Sequence, residues 1–532
     1  MRRSGGFAAI PLAGFLALAA GSFPAGNAAA ANGGAAPDGA KPLGLEALFK
    51  RYLIDERSVG YIAMDAATGA LLTARNADGA FTPASVVKAL TAIMALDVLG
   101  PDHRAATRLY RTGAVKTGVL NGDLILVGGG DPELYTEDFI PMIRALKAGG
   151  ITKVSGRFLY DDSLFPEVRQ ISAEHNDDVG YNGGVGALSL NFNRLRLSWT
   201  RSGRSLRVRI YSKTDRMAVP VDMVAGGVAP AGTRARHGVV RNRDGPNPRW
   251  LVVPTVKRSG AMWVPVKRPG LIAAHVFQQV AAKQGVALPD PQRGGRPADA
   301  TAVSVHRSGP SIDAVRHFLK FSNNVATEIV GQATTRRLSG KPLPLAQSGA
   351  AMAAWYRRQL PSVDWTGLRI ANHSGLTRET RISPLQIAAV LRWACDRKYA
   401  GRRLWDLLQP YWVGTGKART AKKQRRTDSL SRQGSKRAAD GRNSRSGLRA
   451  GRAAAMQIRG KTGTLNHARS LAGYMVTRSK REIVFAVLID DDRARLAAVE
   501  AGQRYKRLSR ARWAWRSRVV LNAIVRKIML DF

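Results

Sequence analysis

The chain has 532 residues and a formal net charge of +45 at pH 7, because 83 lysines and arginines outnumber 38 aspartates and glutamates. A hydrophobic content of 45% excludes an intrinsically disordered chain, and the length exceeds what one ordinary hydrophobic core accommodates. The charge favours polyanionic partners, either phosphate-bearing envelope polymers or anionic lipid headgroups. Nucleic acid is disfavoured as a partner, since the sequence contains no zinc-finger, RNA-recognition or basic-zipper pattern.

The first 31 residues have the pattern of a secretory signal peptide. Two arginines precede a short apolar run that Pro11 and Gly14 interrupt, and small residues suited to cleavage follow at positions 28–31. The run is too short to cross a bilayer, so we predict export to the periplasm or cell envelope, with a buried N-terminal helix as the alternative. Residues 32–42 are predicted to be a linker rich in Gly, Ala and Pro.

A helix near residues 43–52 and two strands within residues 58–76 are predicted to precede the stretch FTPASVVKALTAIMAL. In this stretch Thr82 is the predicted N-cap and Pro83 the first helical residue, which places Ser85 in the first turn. The residues that follow are apolar on every side of the helix. We therefore expect this helix to pass through the middle of a core.

The middle and the end of the chain differ in pattern. Residues 107–300 consist of short alternating segments separated by Gly, Pro and Asn, which predicts one or two β-rich inserted domains. Helical patterns return at Ser311, with a polar break at residues 322–324, and a further helix is predicted over residues 382–396. Three strand-length runs between residues 456 and 489 predict an antiparallel meander, and a C-terminal helix follows.

Residues 416–459 form a segment that is low in complexity, strongly basic and almost devoid of large apolar side chains. Such a segment has too few apolar groups to build a core, so we predict a disordered loop. A solvated insertion without a partner is favoured, and an anion-binding arm is the alternative. A further hypothesis is that this loop, with Trp513 and Trp515 in the basic C-terminal region, holds the protein to anionic membrane or wall polymer.

Ser85 and Lys88 are the first candidates for chemistry. Positions i and i+3 share a helix face, so the hydroxyl and the amine can approach hydrogen-bond range. A lysine among apolar groups loses hydration, which lowers its pKa and lets a neutral amine take the proton of the hydroxyl. The pattern S-x-x-K alone is weak, because a chain of this length contains it by chance about once or twice. A surface lysine beside an ordinary first-turn serine is the alternative.

Two further motifs strengthen this interpretation. Ser322 and Asn324 lie in the break between two predicted helices, where a hydroxyl could relay a proton and an amide could bind a peptide carbonyl. A simple capping role is the alternative there. Lys461 and Thr462 lie at the end of a predicted strand and could hold a carboxylate, while Gly463 allows another backbone to approach closely. An ordinary strand end is the alternative for these residues.

Together the three motifs match the S-x-x-K, S-x-N and K-T-G set of serine penicillin-recognising enzymes. Other blocks, among them LILVGGGDPEL, YNGGVGALSLNFN and SGLTRETRISP, extend the likeness from about Gly60 to Asp490. The chain resembles the D-alanyl-D-alanine carboxypeptidase/endopeptidase family of class C low-molecular-mass penicillin-binding proteins, peptidase family S13. Its long spacing of 237 positions from Ser85 to Ser322 also resembles that family rather than class A β-lactamases.

The resemblance implies an α/β fold. Residues 43–106 and 301–532 are expected to form a discontinuous serine β-lactamase/transpeptidase-like domain, an antiparallel sheet flanked by helices. The β-rich region 107–300 interrupts this domain.

The resemblance also implies a mechanism in which Ser85 forms an acyl-enzyme at the bond between two D-alanines, Lys88 is the base and Ser322 shuttles the proton. No metal or other cofactor is needed. The expected partners are peptidoglycan stem peptides, with β-lactams as covalent inhibitors. The residues implied in substrate binding are Asn324, Lys461, Thr462, Gly463, Thr464 and either Asp177 or Asp178, and the oxyanion is expected at the N–H groups of Ser85 and Thr464.

Some features depart from the family pattern. Asn372 and His373 precede the Ser-Gly-Leu block where relatives commonly have aspartate and glycine, and the basic insertion before the third motif is unusual. His317, His373 and His467 lie near the motifs, but the mechanism needs no histidine, so we expect structural roles for them. Two alternatives stay open: a hydrolase of the same fold that acts mainly on β-lactams, and an inactive scaffold that binds envelope polymers.

Overall fold

A computed structural model describes residues 43–176, 178–235, 238–242, 249–413, 457–500 and 502–532. The predicted signal peptide, the linker and Asp177 lie outside these residues, as does the basic segment except for positions 457–459, which belong to a strand. The helices are α1 Glu46–Arg51, α2 Val87–Val98, α3 Phe139–Ala148, α4 Pro269–Lys283, α5 Ser311–Phe321, α6 Asn324–Ser339, α7 Leu345–Gln359, α8 Pro384–Trp393, α9 Leu404–Leu407, α10 Asp492–Glu500 and α11 Gly502–Asp531. Within the described ranges, no helix combines the length and the apolar character that a membrane span requires.

The strands of the described residues form five sheets. In chain order they are β1 Val59–Asp65, β2 Leu71–Arg75, β3 Ala106–Arg111, β4 Ala114–Lys116, β5 Val119–Asn121, β6 Leu124–Val127, β7 Lys153–Val154, β8 Phe158–Asp161, β9 Arg194–Ser202, β10 Ser205–Lys213, β11 Ala218–Pro220, β12 Gly226–Val228, β13 Val239–Asn242, β14 Arg249–Val252, β15 Gly260–Pro265, β16 Pro291–Arg293, β17 Thr301–Arg307, β18 Gln409–Pro410, β19 Gln457–Leu465, β20 Ala468–Val476 and β21 Glu482–Asp490.

The largest sheet is antiparallel, with strand order β18-β19-β20-β21-β1-β2. Strands β19 to β21 form the meander that the sequence predicts. Because side chains alternate along a strand, one face of β21 contributes Ala486 and Leu488 to a core with α2, α5, α6, α7 and α8. The other face contributes Phe485 and Val487 to a core with α1 and α11. Helices thus cover the sheet on both sides.

Helix α2 lies inside the first core, as its uniformly apolar sequence predicts, and its residues from Val87 to Leu96 are buried. The predicted start of this helix is wrong. A 3-10 turn over Ala84–Val86 precedes α2, and Pro83 is its N-cap residue without a side-chain cap. Thr82 is used in tertiary contacts instead: its N–H donates to Asp490 and its hydroxyl accepts from Arg381.

The region 107–300 has a hydrophobic core of its own, whose buried members among the described residues run from Leu109 to Val286. It is rich in strands, as predicted, but it also contains the helices α3 and α4, which the alternating pattern did not predict. Strand β17 pairs with β3 in the five-stranded sheet β16-β8-β6-β3-β17. The expected end of the insertion at residue 300 therefore falls before the last strand of this sheet, and the domain boundaries stay predictions.

Candidate active site

Ser85 lies in the 3-10 turn that leads into α2, next to Ala84 with a φ of +47°. Two glycines hold this turn by close backbone approach. A Cβ on Gly375 would lie 1.9 Å from the Ala84 carbonyl oxygen, and a Cβ on Gly463 would lie 2.5 Å from the Pro83 carbonyl oxygen. No side chain larger than hydrogen fits either position, so the two glycines fix the turn that carries Ser85.

Lys88 is fully buried one turn after Ser85, on α2. Three neutral oxygen atoms lie within hydrogen-bond distance of its Nζ: Ser85 Oγ at 2.9 Å, Asn324 Oδ1 at 2.7 Å and the Ser374 carbonyl oxygen at 2.6 Å. The predicted contact between the first serine and the lysine is therefore present. The same amine also contacts the second motif, 236 residues further along the chain.

Burial is the largest influence on the protonation of Lys88. It lowers the pKa of the amine well below its ordinary value, and the charge of Lys461 lowers this pKa further, whereas the carboxylate of Glu328 raises it. A lowered pKa increases the fraction of neutral amine, which is the form able to accept a proton.

The second motif lies where the sequence predicts it, in the break between α5 and α6. Ser322 has left-handed backbone angles, φ 53° and ψ 39°, which reverse the chain between the two helices. Asn323 is the N-cap of α6, and its side chain accepts a hydrogen bond of 3.1 Å from Ala326 N–H. The capping role thus belongs to Asn323, while Asn324 contacts Lys88 and Ser322 contacts the third motif.

The third motif lies on β19. Lys461 is 3% exposed, and its Nζ donates to Ser322 Oγ at 3.0 Å and to the Thr462 carbonyl oxygen at 2.9 Å. Burial lowers the pKa of Lys461 to about 8. Two further residues of the motif, Thr462 and Thr464, are exposed, and the hydroxyl of Thr464 donates to the Gly463 carbonyl oxygen at 2.8 Å.

Among the described residues, no strand pairs with the outer edge of β19 next to these residues. Strand β18 pairs only with Gly460 and Arg459, so in the described part of the chain residues 461–465 have no strand partner on that side. An exposed strand edge offers backbone N–H and C=O groups to an extended peptide. This edge therefore has the geometry to bind peptide backbone.

The structure thus brings six of the predicted residues into one site, five of them through side-chain hydrogen bonds. Ser85, Lys88 and Asn324 form one contact set, Ser322 and Lys461 form the other, and Gly463 packs under the turn of the first serine. Because only one residue separates Ser322 from Asn324, the two sets belong to the same site. The ammonium form of Lys461 gives it positive character, which suits a substrate carboxylate.

The insertion reaches this site through Tyr181. The side-chain amide of Asn324 donates to the Tyr181 carbonyl oxygen at 3.0 Å, and the tyrosine is 52% exposed. Asp178 lies three residues earlier, and its buried Oδ1 has no hydrogen-bond partner among the described residues. The structure therefore does not bond Asp178 to the catalytic groups, and its role in substrate binding stays a prediction.

One residue of the site was missed by the sequence analysis. Glu328 is fully buried on α6, one turn after Asn324, and its carboxylate accepts backbone N–H groups from His373 at 3.0 Å and Ser374 at 2.8 Å. Burial raises the pKa of Glu328, while these hydrogen bonds and the charge of Lys88 lower it. The available signal was a lone carboxylate in the otherwise uncharged run NVATEIVGQ.

The histidines near the motifs have structural contacts. Nε2 of His373 lies 2.7 Å from Ser348 Oγ, and burial lowers the pKa of His373 to about 3, so the ring is neutral. His317 pairs with Glu133, and the ring of His467 packs against Trp513.

Comparisons with known proteins identify the family and the fold. The model of a family described as D-Ala-D-Ala carboxypeptidase 3 (S13) matches residues 45–507. A D-alanyl-D-alanine carboxypeptidase of Actinomadura sp. (strain R39) is 26% identical over 391 residues, which cover 69% of this chain and 69% of that protein.

Among solved structures, penicillin binding protein 4 from Haemophilus influenzae has a TM-score of 0.65 at 20% identity, covering 84% of this chain and 93% of that chain. A structure of the same protein complexed with a β-lactam has a TM-score of 0.59 at 18% identity, covering 81% and 90% of the two chains. These matches confirm the predicted fold class.

Proposed function

The chain belongs to the D-Ala-D-Ala carboxypeptidase 3 (S13) family and is a serine peptidase, and from this premise we propose that it cleaves D-alanyl-D-alanine bonds of peptidoglycan through an acyl-enzyme on Ser85. The observation that carries the proposal is the buried amine of Lys88, which lies 2.9 Å from the hydroxyl of Ser85. A neutral amine at this distance accepts the hydroxyl proton as the oxygen attacks a carbonyl carbon.

Acylation and proton transfer are assigned to three residues. The Oγ of Ser85 attacks the carbonyl between two D-alanines, and Lys88 takes the proton. The resulting tetrahedral intermediate collapses when the leaving amine of the terminal D-alanine receives a proton through Ser322. The hydroxyl of Ser322 is positioned for this transfer by the ammonium of Lys461, which donates to its oxygen. Water then hydrolyses the ester, releases the shortened peptide as a carboxylate and restores the hydroxyl of Ser85.

Substrate binding is assigned to the open edge of β19 and to Asn324. The terminal carboxylate of the peptide binds near Lys461 and Thr462, where the ammonium of Lys461 supplies positive charge. The amide of Asn324, which donates to the Tyr181 carbonyl oxygen, exchanges this partner for a carbonyl of the substrate. The oxyanion binds at the N–H groups of Ser85 and Thr464. Gly463 allows the close approach of these parts, and Asp178 is assigned to the free amine of the stem-peptide side chain.

Labelling with a fluorescent penicillin tests the proposal. The wild-type chain is expected to retain the label, and the Ser85→Ala variant is expected to acquire none. Rapid loss of the label from wild type would favour the β-lactam hydrolase, because such an enzyme turns penicillin over. A wild-type chain that stays unlabelled would contradict the acyl-enzyme and favour the inactive scaffold.

A second experiment separates the two peptidase activities. Purified muropeptides are incubated with the enzyme and analysed by mass spectrometry, with the Ser85→Ala variant as the control. Loss of a terminal D-alanine from monomers indicates a carboxypeptidase, whereas conversion of cross-linked dimers to monomers indicates an endopeptidase. If neither product forms, the proposed substrate class is wrong.

An envelope location is also proposed, with export by the N-terminal segment and retention on anionic polymer by the basic segment before β19. The net charge of +45 supports this. Of the two C-terminal tryptophans, Trp515 is 53% exposed and lies against Tyr52, but Trp513 is buried and donates to Asp491, so it is not available for a surface. Deletion of residues 417–456 is expected to make envelope association weaker and less sensitive to salt. Unchanged association would contradict this role.

A further inference from the structure

Side chains of two helices hold His373 and Ser374, the chain segment before Gly375. From α6, the carboxylate of Glu328 accepts the N–H groups of His373 and Ser374. From α2, the hydroxyl of Thr91 donates to the His373 carbonyl oxygen at 2.8 Å. This segment presents the Ser374 carbonyl oxygen to Nζ of Lys88 at 2.6 Å. The position of that oxygen therefore depends on Glu328 and Thr91, although neither side chain is seen to contact the lysine amine directly.

The three oxygen neighbours of Lys88 determine where the N–H groups and the lone pair of its neutral amine point. A neutral lysine amine has two N–H donors and one lone pair, whereas the carbonyl oxygens of Asn324 and Ser374 can only accept. The orientation of the Asn324 amide is set by its donation to the Tyr181 carbonyl oxygen. The two carbonyl oxygens thus take both N–H groups of Lys88. The lone pair is left for the third neighbour, the hydroxyl of Ser85.

We propose that Glu328 is a positioning residue that fixes the Ser374 carbonyl oxygen, so that the lone pair of Lys88 faces the hydroxyl of Ser85. The proposal rests on the proposed function, because it assigns the orientation of the general base for the same acylation step. A carboxylate suits this position, since two adjacent backbone N–H groups each need an acceptor and it provides one oxygen for each. A glutamine provides one oxygen and places an NH₂ group against the other N–H.

The charge of Glu328 has a separate effect on the same amine. Its carboxylate raises the pKa of Lys88, against the lowering by burial and by Lys461 on β19. The other titratable group in the segment, His373, is neutral because burial lowers its pKa to about 3. Removal of the carboxylate charge is therefore expected to lower the pKa of Lys88. The rate of acylation falls on the acidic side of its pH profile as Lys88 becomes protonated. This acidic limb would then move to lower pH.

The test is the Glu328→Gln variant, in which the acylation rate with fluorescent penicillin is measured as a function of pH. We expect the plateau rate to fall roughly 10- to 100-fold, because one charge-assisted hydrogen bond is lost and an N–H is left unpaired. The acidic limb is expected to shift to lower pH. The matched control is Gln332→Met, one turn further along α6, where the buried side-chain amide has no hydrogen-bond partner among the described residues. This control is expected to keep the wild-type profile.

Two more variants separate the effect of the Ser374 carbonyl position from the effect of the Glu328 charge. Thr91→Val removes the second anchor of the segment and no charge, so it is expected to lower the plateau without shifting the limb. Glu328→Asp keeps the charge but shortens the side chain, and it gives the same expectation. It also serves as the test if circular dichroism shows that Glu328→Gln does not fold.

The outcomes distinguish this inference from the proposed function. A wild-type chain that is labelled, together with a folded Glu328→Gln variant of unchanged rate and unchanged acidic limb, overturns the positioning role and leaves the proposed function standing. Unchanged plateau rates in both Thr91→Val and Glu328→Asp would equally contradict it. A wild-type chain that is never labelled overturns the proposed function, and this inference with it.

Discussion

Two regions of the molecule differ in what their hydrophobic cores contain. One surrounds the six-stranded sheet, and the other is the inserted region 107–300. In the former, the buried lysines Lys88 and Lys461 link three distant parts of the chain, and Lys88 lies on α2 inside the core that this helix shares with the sheet. The latter has a core of its own, shares a small apolar cluster with α6, and contacts the hydrogen-bonded site through the backbone carbonyl of Tyr181. This difference indicates that the chemistry belongs to the sheet and its helices.

Of the changes considered, replacement of the buried Lys88 amine is expected to reduce the acylation rate most. Lys88→Met keeps the volume of the side chain but removes the general base, so we expect the acylation rate with penicillin to fall roughly 10⁴-fold. Stopped-flow or gel-based labelling over time measures the rate, and thermal unfolding verifies the fold. A rate within about tenfold of wild type would show that another group takes the proton.

The pH dependence of peptide cleavage is expected to report the ionisation of Lys461. In the proposed mechanism Lys461 binds the substrate carboxylate in its charged form. Burial lowers its pKa to about 8, so charge is lost as the pH rises through that value. We expect kcat/KM for a peptide ending in D-alanyl-D-alanine to fall above about pH 8, by about tenfold per unit. The same peptide with an amidated C-terminus is the control and should lose most of this dependence. A rate that stays constant well above pH 8 would contradict the assignment.

A substitution in the core of the insertion is expected to have the smallest effect on chemistry. Phe277 is fully buried there, in ring contact with Phe139 and Phe158. Phe277→Ala should cost about 3–5 kcal/mol of stability. The penicillin acylation rate of the folded protein is expected to change less than about threefold, because the catalytic hydrogen bonds do not pass through this core. A rate loss similar to that of Lys88→Met would show that the two regions are energetically coupled.

The sequence predicted which motif residues lie together better than it predicted the details around them. Ser85, Lys88, Ser322 and Lys461 belong to motifs in which residue type and spacing both follow from the chemistry. Their meeting in one site could therefore be expected from the pattern. Glu328 belongs to no such motif, since its partners are backbone N–H groups 45 and 46 residues further along the chain.

The wrong predictions about the fold, like the missed Glu328, concern features that local sequence patterns do not determine. Thr82 is a reasonable N-cap by local preference, yet contacts with Asp490 and Arg381 use its polar groups instead. Helices α3 and α4 were overlooked inside a region dominated by short alternating segments, although the proline at the start of α4 is a helix signal. In each case the result depends on tertiary contacts or on a local signal that the surrounding pattern outweighed.

The most direct test of the account is to locate the covalent bond. Intact protein is treated with benzylpenicillin, digested and mapped by mass spectrometry. The account predicts one penicilloyl adduct on the peptide that contains Ser85, and none in the Ser85→Ala variant. An adduct on another residue, or wild-type protein of unchanged mass, would contradict the central claim that Ser85, activated by Lys88, is the nucleophile.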